Sequence, residues 1–177
     1  MRQIPIWKGN HHHREFTGLY AIVDDEDYER VKQWHWTLAE GYPLGHVKKN
    51  GKWVKVHLHR FVMKAKRGIL IDHKDRMPLN CQKDNLRECT RAENGWNREK
   101  PKSTKSKSRF KGVQWKPTNN NDKTKGKWMA RIIVNNRNYH IGYFKTQEQA
   151  GLAYDLWALQ LHKQFAVTNY QVVLSGP

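Results

Sequence analysis

The chain has 177 residues, 37% of them hydrophobic and 11% aromatic, with a formal net charge of +17. That length holds one ordinary domain or two small ones, and the apolar fraction allows only small cores, which eight Trp and seven Tyr partly enlarge. Folding has no need of so much charge, so the excess points to a polyanion, nucleic acid first; an anionic membrane is disfavoured, because no apolar run approaches a spanning length and the basic residues do not share one amphipathic helix.

The amino terminus, MRQIPIWKGNHHHREF, has no apolar core segment, so no signal peptide is expected. The histidine run at 11–13 is assigned no role. The acidic stretch DDEDYERVKQW reads as a short helix with its acids in the first turn, where the helix dipole favours them. Next comes YPLGHVKKNGKWVKVHLHRFVM, in which Asn50-Gly51 signals a hairpin. Val54, Val56 and Leu58 alternate with Lys55, His57 and His59, which predicts one strand with one buried face. ILIDH predicts a short strand that runs into a polar loop. Thr90 and Glu93 have the spacing of a capping box, so a helix should begin there.

Residues 100–108, KPKSTKSKS, hold no apolar residue and read as a basic linker. Residues 1–99 carry 19 Lys and Arg against 13 Asp and Glu, while residues 100–177 carry 14 against 3. The second half is thus the denser electrostatic footprint. Beyond the linker, FKGVQW, KWMARIIV and NYHIGYF predict three strands, with NNR as a tight turn. TQEQAGLAYDLWALQLH predicts a helix opened by Thr146 and Gln149. Ala150, Ala153, Tyr154, Trp157 and Leu161 recur at helical spacing and are expected to form its packing face.

The pair Asp72-His73 closes the ILIDH strand. Asn85 follows in DNLR, and Asn94 falls in the first full turn of the capped helix. Together with YAIVDDEDYE and LHR, this combination resembles the HNH nucleases, in the variant whose last His is Asn, over roughly residues 18–98. The resemblance implies a β-hairpin and a helix gripping one divalent metal. Carried over residue by residue, it makes His73 the general base, Asp72 and Asn94 the metal ligands, and Asn85 the residue that holds the loop and orients His73.

The chemistry suits these residue types. Phosphodiester hydrolysis needs an activated water and charge relief on the leaving oxygen. His73, neutral at pH 7 by its reference pKa, can accept a proton from water. The carboxylate of Asp72 and the amide oxygen of Asn94 are hard donors suited to Mg²⁺ or Mn²⁺. Neighbours on a strand point to opposite sides, so Asp72 and His73 converge on one phosphate only where the strand ends or bends. His59 matches a family position bordering the site, and Arg87 is within reach of a phosphate. Taken singly, Asn94 is an ordinary helix-surface residue, Asn85 a loop cap, His59 a strand residue and Arg87 an exposed arginine. Cys81 and Cys89 stand alone, with no second pair, so neither a disulfide scaffold nor structural zinc is expected, and a cytoplasmic location fits.

In the second half, FKGVQWK, GKWMARI, HIGYF, the T-x-E-x-A-x-x-A-Y-D pattern and AVTNY are similar to the DNA-binding domain of plant Apetala and ethylene-response factors, over about residues 108–170. The resemblance implies a three-stranded sheet in the major groove with a helix behind it. Alternation independently puts Gln114, Lys116, Arg131 and His140 opposite the apolar set; the family positions add Lys111. Arg131 could read guanine, while Lys111 and Lys116 suit phosphates. Several family arginines are Gln, Lys or His here, and PTNNNDKTK enlarges the first turn, so the family's target sequence does not transfer.

The expectation is an α+β protein: an HNH nuclease domain over residues 1–99 with a ββα-metal core, the linker 100–108, and an Apetala-type sheet-and-helix domain over 109–177. As a whole it reads as a monomeric, strand-nicking, site-specific homing endonuclease of a phage or mobile element, acting on double-stranded DNA with Mg²⁺ or Mn²⁺. The competing reading is a DNA-binding regulator with an inactive nuclease-like half. An RNA-binding protein would need stacking aromatics exposed on the second sheet, whereas alternation turns its aromatics inward.

Overall fold

The computed structural model describes residues 1–9, 13–101, 106–118 and 124–170, which fall into two compact units divided between Thr90 and Arg91. Most of the HHH run, the middle of the linker and the centre of PTNNNDKTK lie outside the described residues.

In the first unit, β1 (Arg2–Lys8), β2 (Glu15–Val23), β3 (Trp36–Ala39), β4 (Tyr42–Lys49) and β5 (Lys52–His57) make a five-stranded sheet in the order β2-β1-β3-β4-β5. The strands β1, β2 and β3 go beyond the sequence expectation. Ile4, Ile6, Ala21, Val23, Trp36 and Val47 turn to one side of this sheet and form its core with Val31 of α1 (Asp25–Lys32). α1 carries Asp25, Glu26 and Asp27 in its first turn, as the charge pattern predicts. The β4–β5 hairpin turns at Asn50 (φ 48°) and Gly51 (φ 76°), the paired positive angles of a two-residue turn.

One expectation is corrected here. The strand in KWVKVHLHRFVM stops at His57, and Leu58–Val62 form the short helix α2. His59 therefore does not share a strand face with Lys55 and His57. The helical turn buries Leu58 and Val62 in the core and buries His59 with them.

β6 (Leu70–His73) and β7 (Leu86–Cys89) pair antiparallel, with Asp72 opposite Arg87 and His73 opposite Leu86. The twelve-residue connection ends in a 3₁₀ turn at Lys83–Asn85. It is fastened to the first sheet: Ile22 N donates to Leu79 O and Cys81 N to Ile22 O, both at 2.8 Å. Asp24 accepts from Lys83 N at 2.8 Å and from Gln82 Nε2 at 3.1 Å. The YAIVDD segment thus anchors the loop that follows the Asp-His pair.

The second unit opens with α3 (Arg91–Trp96), directly after Thr90. The contact boundary so falls ahead of this helix, whose Trp96 stacks on His162. β8 (Val113–Pro117), β9 (Gly126–Val134) and β10 (Arg137–Phe144) form an antiparallel sheet in the order β10-β9-β8. Asn135 (φ 49°) and Asn136 (φ 61°) make the tight β9–β10 turn. α4 (Gln147–His162) packs on the sheet, and its N-cap Thr146 accepts from Gln149 N at 3.2 Å.

The packing face of α4 differs from the one the apolar spacing predicts. Ala150, Tyr154, Ala158 and His162 are buried, whereas Trp157 is 39% exposed. Small residues at 150 and 158 let the helix lie close to the sheet, and an indole beside them has no room underneath. Gly112 answers to the same closeness: its φ is +73°, and a Cβ there would stand 2.0 Å from the Tyr154 ring.

Candidate functional site

Asp72 and His73 are each 6% exposed and leave β6 on opposite sides. Asp72 meets its cross-strand neighbour: Arg87 Nε and one terminal nitrogen approach Asp72 Oδ2 at 2.9 and 2.8 Å. Arg87, placed at the site border by sequence, is in the structure the ion-pair partner of Asp72.

His73 faces a cluster of rings. Its centroid lies 5.0 Å from that of His59, edge to face, and 6.0 Å from Tyr42. His57 stacks on His59 at 5.4 Å and 11°. Tyr42 also stands edge-on to His57 and His59, at 6.0 and 5.7 Å. Cys81 Sγ is 3.9 Å from His73 Nε2. Burial lowers the pKa of His73, against the pull of Asp75 and Asp72. Burial, reinforced by His73 and His57, takes His59 down to about 3. The imidazoles are therefore neutral at pH 7, and neutral His73 has the form a proton acceptor needs. Burial also pushes the Cys81 thiol up to about 12, so it stays protonated.

Asn85 clamps the loop that follows His73. Its Oδ1 accepts from Asp75 N at 3.0 Å, and its Nδ2 donates to Asp75 Oδ1 at 2.9 Å and to Asn80 O at 2.8 Å. Lys74 N donates to Asn85 O at 2.8 Å. Asp75 closes the network, accepting from Met77 N at 2.8 Å and from Asn80 Nδ2 at 2.7 Å. Burial works to raise the Asp75 pKa, but these donors outweigh it and hold the carboxyl below its usual range. Tyr42, Asp75 and Asn80 join the site beyond the sequence expectation. Asp75 carried a signal, three residues past Asp72 in a polar loop; Tyr42 carried none, because only the β3–β4 pairing brings it near β6.

Asn94 is half-buried on α3, within the second unit. The candidate ligands are one carboxylate and one amide oxygen. Their chemistry fits a hard cation that keeps most of its waters and uses few protein groups. Among the described residues no cluster of three or more His, Cys, Asp or Glu is arranged to hold a metal. A cation at Asp72 would share that carboxylate with Arg87.

In the second unit Gln114, Lys116, Arg131 and His140 are all exposed. Gln114 pairs with Met129, Lys116 with Lys127 and Arg131 with His140, so they share the sheet face away from α4. Two expectations change. Lys111 directs its ammonium to the carbonyls of Trp96 and Arg98, each at 2.6 Å, because it precedes β8 and lies beside the end of α3. The sheet aromatics also do not all turn inward. The register shifts between His140 and Gly142, so Ile141 is one residue extra and the alternation beyond it reverses. Tyr143 then pairs with Met129 on the outer face, 55% exposed, with its ring 4.6 Å from His140.

The HNH endonuclease family matches residues 56–96, the segment that holds His57, His59 and His73, the clamped loop and α3. An uncharacterized HNH endonuclease of Acanthamoeba polyphaga mimivirus is 33% identical over 159 residues, covering 86% of this chain and 75% of that protein. The AP2-like ethylene-responsive transcription factor ANT of Arabidopsis thaliana is 41% identical over 49 residues, 27% of this chain and 9% of its own length. A rice factor of the same description also matches at 41% over 49 residues, 8% of its length. With the mimivirus protein matched at this identity over three quarters of its length, and its named family matched across the three histidines and the loop, the chain belongs to the HNH endonuclease family.

Proposed function

We propose that the chain is a site-specific, strand-nicking DNA endonuclease of the homing type, with an Apetala-type reader in its second half. The carrying observation is His73: a buried, neutral imidazole at the end of β6, on a loop clamped by Asn85, inside the family-matched segment. His73 takes a proton from the attacking water. Asn85 fixes the backbone next to His73, and so the direction in which the imidazole accepts. The ring cluster around His73 limits its rotation and keeps bulk water away. Asp72 and Asn94 would hold one Mg²⁺ or Mn²⁺, which when bound supplies charge relief at the scissile phosphate. Gln114, Lys116, Arg131 and His140 would meet DNA on the outer face of the second sheet, the reading supported by their shared exposure and by the short matches to plant factors.

One observation favours the other reading, a DNA-binding regulator with an inactive nuclease-like half. The Arg87 guanidinium already neutralises Asp72, the only proposed ligand with a formal charge. Supercoiled plasmid incubated with the protein, with Mg²⁺ or with EDTA, separates the two. The nuclease reading expects metal-dependent open circle; intact plasmid in both conditions selects the regulator. A single Asp72–His73 pair per chain further expects open circle ahead of linear product at limiting enzyme. Linear product with no open-circle intermediate would overturn the monomeric nicking reading.

A further inference from the structure

The helix α3 carries Asn94 but is only six residues long, too short to hold its own shape in water. Contacts within the second unit help to fix it. The Trp96 indole lies on the His162 imidazole, centroids 4.3 Å apart and planes within 8°. His162 is buried at the end of α4, and its Nε2 donates to Ile133 O of β9 at 3.1 Å. The carbonyl of Trp96, the last residue of α3, and that of Arg98, two residues beyond it, both accept from Lys111 Nζ. The ammonium also places positive charge at the negative end of the helix. Lys111 is itself held at both backbone groups. Its N donates to Asn169 Oδ1 at 2.5 Å, and its O accepts from Asn169 Nδ2 at 3.1 Å. Asn169 N and Nδ2 donate to Asp155 Oδ1, a buried carboxylate of α4, at 2.8 and 2.9 Å. A continuous chain of bonds thus runs from the middle of α4 to the end of α3.

We propose that Lys111 and Trp96 are positioning residues of the endonuclease, which fasten the Asn94 helix to the body of the DNA-reading unit and so fix the direction of the Asn94 amide. The inference rests on the proposed role of Asn94 as a ligand.

The test uses the full chain and three measurements: the Mg²⁺ concentration for half-maximal plasmid nicking, DNA affinity without metal, and thermal unfolding. Lys111→Met should raise the Mg²⁺ requirement about tenfold or more, the usual effect of losing the support of a metal ligand. It should leave metal-free DNA affinity within about twofold, since a lysine spent on carbonyls contributes no phosphate contact. Lys111→Arg, which restores the cation, should recover most of the loss. Trp96→Ala should reproduce the Lys111→Met shift and Trp96→Phe should spare it, which keeps the test open if one variant does not fold. An unchanged Mg²⁺ requirement in both Lys111→Met and Trp96→Ala overturns the proposal, as does weakened metal-free affinity with an unchanged requirement, which would make Lys111 a phosphate contact. Asn94→Ala, run alongside, separates the two layers. If it leaves the requirement unchanged, the ligand assignment fails; if it shifts the requirement and the Lys111 and Trp96 variants do not, the positioning inference alone fails.

Discussion

Arg87 holds Asp72 Oδ2 with two nitrogens, at 2.8 and 2.9 Å, and both side chains are nearly buried. The pair sits directly across the β6–β7 ladder, so it joins the two strands as well as neutralising the acid. Removing one partner of a buried pair leaves the other charge uncompensated, at about 3–5 kcal/mol. Arg87→Gln should therefore lower the melting temperature. It should also reduce the Mg²⁺ concentration needed for half-maximal nicking by the folded protein, because a competing cation is gone. A higher Mg²⁺ requirement would mean that Arg87 orients Asp72 for the metal.

His59 should make stability depend on pH well above the carboxylate range. Its neighbours are His73 on β6, His57 on β5, Tyr42 on β4 and Arg60 on its own helix, none of them an acid. The folded pKa is near 3 and the unfolded value near 6.5. The unfolded chain therefore binds the proton first as pH falls. Stability is full above pH 6.5 and declines from there toward pH 3, at about 1.4 kcal/mol per pH unit for each such proton. His59→Phe keeps a ring in the cluster and removes the titration. Its melting temperature should fall less between pH 7 and pH 5 than that of the parent. Parallel pH profiles would show that His59 is not held neutral.

Arg131 lies across from His140 on the exposed sheet face. A bidentate contact to guanine is worth about 1–3 kcal/mol of discrimination. Arg131→Ala should then narrow the affinity gap between preferred and scrambled duplexes. Equal loss on all duplexes, with a shallower salt dependence, would assign Arg131 to a phosphate.

The second unit was the more legible half because its strands alternate and its turns carry their own chemistry. Asn135-Asn136 and Thr146 acted where they stand in the sequence. The bulge at Ile141 left no such mark, and it alone turned Tyr143 outward. In the first unit, local signals gave α1, the Asn50-Gly51 turn and the β6 strand. They could not give the environment of His73, whose neighbours Tyr42, His57 and His59 come from β4, β5 and α2 and meet only through long-range pairing. The LHR segment misled for a related reason: its alternation fits a strand, but burial of both Leu58 and Val62 selects a helical turn. The partners of Asp72 and Lys111 leave no mark in the sequence, because a residue type shows what it can offer a ligand and not that the fold already engages it.

If His73 is the base of a DNA-cutting reaction and affinity for DNA lies elsewhere in the chain, one variant should separate cutting from binding. That variant is His73→Ala, with nicking of supercoiled plasmid in Mg²⁺ and binding to the same DNA without metal measured on one preparation. Loss of a general base costs about 10²–10⁴-fold, so nicking should fall by that much while the binding isotherm stays where it was. Nicking at the parental rate by a variant that binds and melts like the parent would exclude His73 as the base.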